Sequence, residues 1–212
     1  IFNNHTTSFV SIYTHNKHGA VDLHIIKSYA LFVIIGVIVG TSLASIMKTK
    51  GLILFFTTVV YFLSIYLLFL KEKAQDTKPN FNLFPKIVFG FISGFVSAPM
   101  GIGGAVMNVP ILKYFGYPIN KAIGSAAAIG FFIALFGAIG FLISGSYLDV
   151  DLPLSIGFIN IPALLIFIPI TTFMAKVGAN AVHKIEKQKI TKFFGIFLLV
   201  VGTIFLYRYL NI

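Results

Sequence analysis

The sequence contains no cysteine. A disulfide framework, thiolate chemistry and a Cys-ligated metal are therefore excluded. Charge is scarce as well: 10% of the 212 residues are charged, where ordinary soluble domains carry about 25%. A soluble fold of this size could not cover itself with 16 basic and 6 acidic side chains. That excludes a soluble enzyme, a nucleic-acid-binding module and a disordered chain, so no nucleic-acid partner is expected. The net charge of +10 would otherwise suggest nucleic acid. Here the Lys and Arg residues cluster in short gaps between apolar runs, as the positive-inside rule expects of a membrane protein.

Hydrophobic residues make up 58% of the chain, and the mean hydropathy is +0.95. A membrane helix needs about 20 mostly apolar residues. Five stretches meet that length: Ile25–Met47, Gly51–Leu70, Ala122–Ser144, Leu152–Ala175 and Ile190–Leu210. Their only charges are Lys27, Lys192 and Arg208, each near an end where a long side chain can snorkel. The runs are apolar all round, whereas a helix of a soluble core keeps a polar face. Ile1–Thr14 is expected to be the final part of another helix. The fold class is thus an all-α polytopic membrane protein of the cell membrane, with a bacterial inner membrane as the expected location.

The stretch Phe84–Phe115 differs from these. It is uncharged from Ile87 to Leu112, but its middle reads Ser97-Ala98-Pro99-Met100-Gly101-Ile102-Gly103-Gly104, and Pro110 follows. Proline removes a backbone donor and glycine disfavours helix, so a break is expected at both prolines. Broken backbone at membrane depth survives only inside protein or along a cavity. The arms Phe84–Pro99 and Gly104–Phe115 each look short for a full crossing. The choice lies between one broken span and a re-entrant hairpin. A single span would put 7 and 9 Lys and Arg on the two sides, whereas a hairpin puts 13 and 3. The positive-inside rule prefers the hairpin, with the 71–86 and 176–192 gaps cytoplasmic and the C-terminus outside; a hairpin of two full crossings gives the same count, so the charges fix parity and not depth.

Two segments resemble each other. Gly19-Ala20-Val21-Asp22…Gly40-Thr41-Ser42-Leu43-Ala44 parallels Gly145-Ser146-Tyr147-Leu148-Asp149…Thr171-Thr172-Phe173-Met174-Ala175. In both, a helix ends in a loop carrying Gly and Asp, and a second helix, a basic gap and a third helix follow. The hairpin topology makes the copies inverted, an architecture of many secondary transporters. The expected organisation is a remainder of a first repeat over 1–70, a cytoplasmic linker over 71–83 and a second repeat over 84–212. The offset between the copies predicts that roughly 45 residues, including a partner hairpin, precede Ile1.

At these residues the sequence resembles the TauE/SafE family of membrane transporters, the sulfite exporter group. The family's repeat opens with a glycine cluster and a Val-Pro pair, and a stretch with Ala-Gly-Thr-Ser opens the next helix. Here the matching residues are Gly101-Ile102-Gly103-Gly104-Ala105, Val109-Pro110-Ile111-Leu112 and Ala122-Ile123-Gly124-Ser125-Ala126. Ser8, Ser11, His15 and the Gly19–Asp22 loop resemble the end of the family's first repeat. The chain departs at Ala105, in place of the third glycine, and at Ser125-Ala126, in place of Thr-Ser; the first repeat's glycine cluster is absent. The resemblance implies export of small sulfur-containing anions such as sulfite or sulfonates.

An oxyanion inside a membrane needs hydrogen-bond donors and positive potential. No Lys or Arg lies deep in a span, which leaves backbone N–H groups and helix N-termini. The hairpin tip offers both. The candidate substrate-binding residues are Gly101, Gly103, Gly104, Asn108 and Ser125, with Ser97 at the end of the first arm. Each also has a plain structural use. Glycines let helices approach closely, as expected of Gly124, Gly130, Gly137 and Gly140, and serine caps or back-bonds within a helix. Of His5, His15, His18, His24 and His183, most fall in loops, and their spacing makes no metal site. No metal or cofactor is expected. Asp22 and Asp149 read as turn caps.

No carboxylate lies inside a span, where proton or sodium symport usually places one. Facilitated efflux, assisted by an inside-negative potential, fits the residues. A pore for small solutes on the same scaffold is the alternative. An intramembrane enzyme would need clustered His, Asp or Glu at depth, and the sequence has none.

Overall fold

The computed structural model describes residues 21–69, 81–101, 104–148, 153–182 and 187–211. The helices are α1 (Leu23–Ile46), α2 (Thr49–Phe69), α3 (Leu83–Met100), α4 (Gly104–Tyr114), α5 (Ile119–Tyr147), α6 (Ile161–Val182) and α7 (Lys187–Leu210). A two-residue β-hairpin, β1 (Ser155–Ile156) with β2 (Ile159–Asn160), precedes α6. Five helical stretches are long and apolar enough to cross a membrane: Leu23–Ile46, Thr49–Phe69, Leu83–Met100, Lys121–Tyr147 and Lys192–Leu210. The chain is an all-α polytopic membrane protein. The stub Ile1–Thr14, most of the 71–83 linker, Ser8, Ser11, His5, His15, His18, Gly19, Gly103, Asp149 and His183 lie outside the described residues.

Three sequence expectations are corrected. The expected span Leu152–Ala175 is not one helix. Leu154 and Gly157 both adopt positive φ, 55° and 56°, and the chain turns through β1 and β2 before α6 starts at Ile161. The first arm of the glycine hairpin is longer than expected: α3 has 18 residues and tolerates Pro99 in its last turn. Pro110 does not end the second arm either but sits inside α4, which continues to Tyr114.

The chain divides into two compact units. The first holds α1 through Ser45, α3, α4, α5, the β-hairpin and α6 through Thr172. Its core gathers Ile25, Tyr29, Val33 and Val37 of α1 with Ala98, Leu112, Ala122, Ile129 and Ile133. Glycines let these helices touch backbone to backbone. A Cβ on Gly94 would meet the Val33 carbonyl oxygen of α1, and one on Gly36 would meet the Phe91 carbonyl oxygen of α3. The second unit pairs α2 with α7 and includes the rest of α6. Successive contacts join Lys50 to Tyr209, Phe56 to Phe205, Tyr61 to Thr203 and Ser64 to Gly195, so α2 and α7 are antiparallel.

Candidate functional site

The glycine cluster makes a turn. Gly101 caps α3 with φ of 63°, a left-handed conformation glycine adopts without a steric penalty, and its N–H bonds the Ala98 carbonyl at 3.2 Å. Had the chain run straight on, Ser93 and Asn108 would stand about 22 Å apart at the rise of an α-helix. Instead Ser93 Oγ donates to Asn108 Oδ1 at 2.8 Å. The two arms therefore lie side by side and antiparallel. Their open end is closed by rings: Phe81 stacks on Phe115 at 4.2 Å, Phe89 meets Phe115 edge-on at 5.5 Å, and Lys86 lies over Phe81.

The position of the tip along α5 follows from one close approach. Gly104, the first residue of α4, faces Gly130 so closely that an added Cβ would stand 2.5 Å from the Gly130 Cα. Gly130 is about 16 Å along α5 from its start and about 25 Å from its end. The hairpin thus reaches the middle part of a helix long enough to cross a bilayer. The N-terminus of α4 ends there, with first-turn N–H groups that have no intrahelical acceptor.

A polar network holds the arms to α1. Asn108 is fully buried. Its Oδ1 accepts from Ser93 and from the Tyr29 hydroxyl at 2.9 Å, and its Nδ2 donates to the Gly104 carbonyl at 2.7 Å. Tyr29 and Ser93 are fully buried as well. Ser97, one turn nearer the tip than Ser93, is fully buried and its Oγ has no partner among the described residues.

Ser125 takes part in a second cluster nearer the hairpin base. The sequence places it at a helix start, but α5 begins at Ile119, so Ser125 lies in its second turn. Its Oγ accepts the Asp22 backbone N–H at 3.1 Å. Asp22 caps α1, with Oδ1 accepting from the His24 N–H at 3.0 Å, and its Oδ2 lies 3.6 Å from Lys121 Nζ. Burial, followed by the charge of Asp22, pushes the Tyr117 phenol above its usual range.

Of the candidate residues, the structure brings Gly101, Gly104 and Asn108 together around the turn. Ser125 lies toward the base, and Gly103 is outside the described residues. Sequence reasoning missed Tyr29 and Ser93. A signal for Ser93 existed in its four-residue spacing from Ser97, which puts both hydroxyls on one helix face. Tyr29 gave no comparable signal, since a tyrosine near a span end reads equally as an interfacial anchor.

A family model described as sulfite exporter TauE/SafE matches residues 2–205. The chain belongs to the TauE/SafE family. It is 29% identical over 197 residues to a probable membrane transporter protein of Haemophilus influenzae, covering 92% of this chain and 74% of that one. It is also 29% identical over 132 residues to a probable membrane transporter protein of Methanocaldococcus jannaschii, covering 62% of this chain and 47% of the relative. No solved structure matches it. Family membership and the apolar helices agree, and this TauE/SafE protein is a multi-pass membrane transporter. Among the described residues no cluster of three or more His, Cys, Asp or Glu could hold a metal.

Proposed function

We propose that this transporter exports small sulfur oxyanions, sulfite or organosulfonates, by alternating access, and that the anion binds at the hairpin tip. The observation that carries the reading is the position of the α4 N-terminus, held against Gly130 in the middle part of α5. A helix N-terminus presents N–H donors and about half a positive charge, enough to attract an anion without a buried Lys or Arg. Gly103 and Gly104 supply backbone donors, and Gly101, whose own N–H is taken by the Ala98 carbonyl, makes the turn that lets an anion approach. Asn108 contributes an amide while also fixing the arms, and Ser125, which ties α5 to the start of α1, contributes a hydroxyl from the side of the base. The family's description as sulfite exporters supports the substrate class. In this reading residues 1–70 and 84–212 are inverted repeats joined by a cytoplasmic linker over 71–83, and alternating access is their relative rocking.

The test is efflux of labelled sulfite, sulfate and methanesulfonate from sealed vesicles carrying the full-length protein. Saturable efflux of a sulfur oxyanion, accelerated by the same anion on the far side and by an inside-negative potential, is expected. Non-saturable flux without counterflow would mean a pore. No flux of any of the three would overturn the substrate assignment.

A further inference from the structure

Ser97 is unusual among the buried hydroxyls of the hairpin. It is fully buried, and its Oγ has no hydrogen-bond partner among the described residues. Ser93, on the same face one turn earlier, donates to Asn108. A buried hydroxyl left unpaired costs about 1–3 kcal/mol, and native proteins seldom keep one without a reason.

The register of the hairpin says what Ser97 faces. The arms are antiparallel and Ser93 lies opposite Asn108. One turn toward the tip on α3 is Ser97, and one turn toward the tip on α4 is Gly104. The Ser97 hydroxyl is therefore level with the first turn of α4, where N–H groups lack intrahelical acceptors. The α4 helix has 11 residues, so its peptide dipoles give this end a positive potential. Neither arm contains an acidic residue, and the lysines Lys86 and Lys113 lie at the base. An unpaired donor beside a positive helix end, with no carboxylate on either arm, is a setting for an anion's oxygen.

We infer that Ser97 donates a hydrogen bond to the transported oxyanion at the N-terminus of α4 and sets its affinity. This rests on the reading of the hairpin tip as the substrate site. A sulfur oxyanion presents several acceptor oxygens, so one can take α4 backbone N–H groups while another takes the Ser97 hydroxyl. The bonds among Asn108, Ser93 and Tyr29 hold the arms at the spacing this requires. The Ser97 hydroxyl has no partner among the described residues, so its removal affects binding rather than folding.

Two variants test this. In Ser97→Ala, the vesicle assay should show KM for the oxyanion raised about tenfold or more, the effect of losing a hydrogen bond to a charged group. The thermal midpoint in detergent should be unchanged or higher. An unchanged KM would overturn the role of Ser97. Residues 1–212 hold no native cysteine, so Ser97→Cys introduces the one thiol of this stretch. It should react with methyl methanethiosulfonate, and methanesulfonate or sulfate should slow the reaction; Ser93→Cys, in the anchoring network, should not show that protection. A thiol at 97 that does not react, or that reacts equally fast with and without the anions, would overturn the inference. The underlying reading fails separately: wild-type vesicles that carry no oxyanion remove the substrate site and this inference with it, whereas wild-type transport with an unaffected Ser97→Ala removes only Ser97.

Discussion

The helices around the glycine hairpin and the α2/α7 pair draw on the same apolar residues but are held in different ways. Around the hairpin, glycines meet backbone: Gly94 faces the Val33 carbonyl, Gly36 the Phe91 carbonyl, and Gly104 the Gly130 Cα. Between α2 and α7, glycines meet the ends of side chains, Gly195 against Leu68 and Gly202 against the Val60 methyl. The polar groups divide likewise. Asn108 joins three elements of the hairpin unit through buried bonds, whereas α2 and α7 share one buried hydroxyl bond, from Ser64 to the Gly195 carbonyl at 2.8 Å, and a more exposed one between Tyr61 and Thr203. Side-chain ends can adjust and backbones cannot. The hairpin unit is therefore the part whose geometry is fixed, as the proposed site of backbone donors requires.

Substitution of glycine should break this comparison most strongly. A methyl at Gly94 has only backbone to displace, so Gly94→Ala should cost about 3 kcal/mol or more, or leave no folded protein. At Gly202 the nearest atom is 3.4 Å away, at the end of Val60, so Gly202→Ala should be neutral or up to about 1 kcal/mol stabilising, as alanine is the better helix former. Unfolding in detergent by both heat and denaturant would measure the pair. Equal effects would mean that the two units do not differ in this way.

The polar networks offer the next contrast. Asn108→Ala removes the acceptor of two buried hydroxyls, those of Tyr29 and Ser93, and should cost about 2–3 kcal/mol. Ser64→Ala removes one bond to a carbonyl that keeps its helical partner, and should cost about 0.6–1 kcal/mol. The same unfolding assay reads both. Loss of transport in Asn108→Ala at a temperature where the variant remains folded would add that the network also sets the geometry of the tip.

Much of this was legible in the sequence because membranes impose simple rules. Length and hydropathy located α1, α2, α5 and α7 to within a few residues. The 13-to-3 charge bias favoured the hairpin over a broken span, and the structure has antiparallel arms. The misreadings concern proline and glycine acting in context. Pro99 sits within the last turn of α3 and Pro110 within α4, because a single missing donor in a buried helix costs less than breaking it. Pro153, Gly157 and Pro162 together turned an expected span into a β-hairpin and a later helix start. The tip's glycines were recognisable as a helix break, but the partners of Asn108 and Ser125 were not. Those partners, Tyr29, Ser93 and Asp22, come from other helices or from a hairpin register that only the fold defines.

The smallest effect concerns pH and tests whether the two units respond separately. Tyr117 lies outside the spans, in the turn between α4 and α5, and its ring meets Phe81 edge-on at 6.4 Å. Burial, and then the Asp22 carboxylate, raise its phenol above the ordinary value of 10. The folded state therefore holds the phenolic proton more tightly than the unfolded chain does. Below pH 10 both states are protonated and Tyr117 gives no pH dependence. As pH rises past 10, the unfolded chain loses the proton first, and the stability tied to the neutral phenol falls until the folded form ionises too. Tyr117→Phe keeps the ring against Phe81 and removes the proton, so the variant should lose less stability than wild type over that range and match it at neutral pH. A fluorophore at the hairpin base should register the difference, and one on the α2/α7 pair should not, since Tyr117 and Asp22 both belong to the hairpin unit. Identical alkaline profiles for variant and wild type at the hairpin base would mean that the Tyr117 phenol is as well solvated in the folded protein as in the unfolded chain.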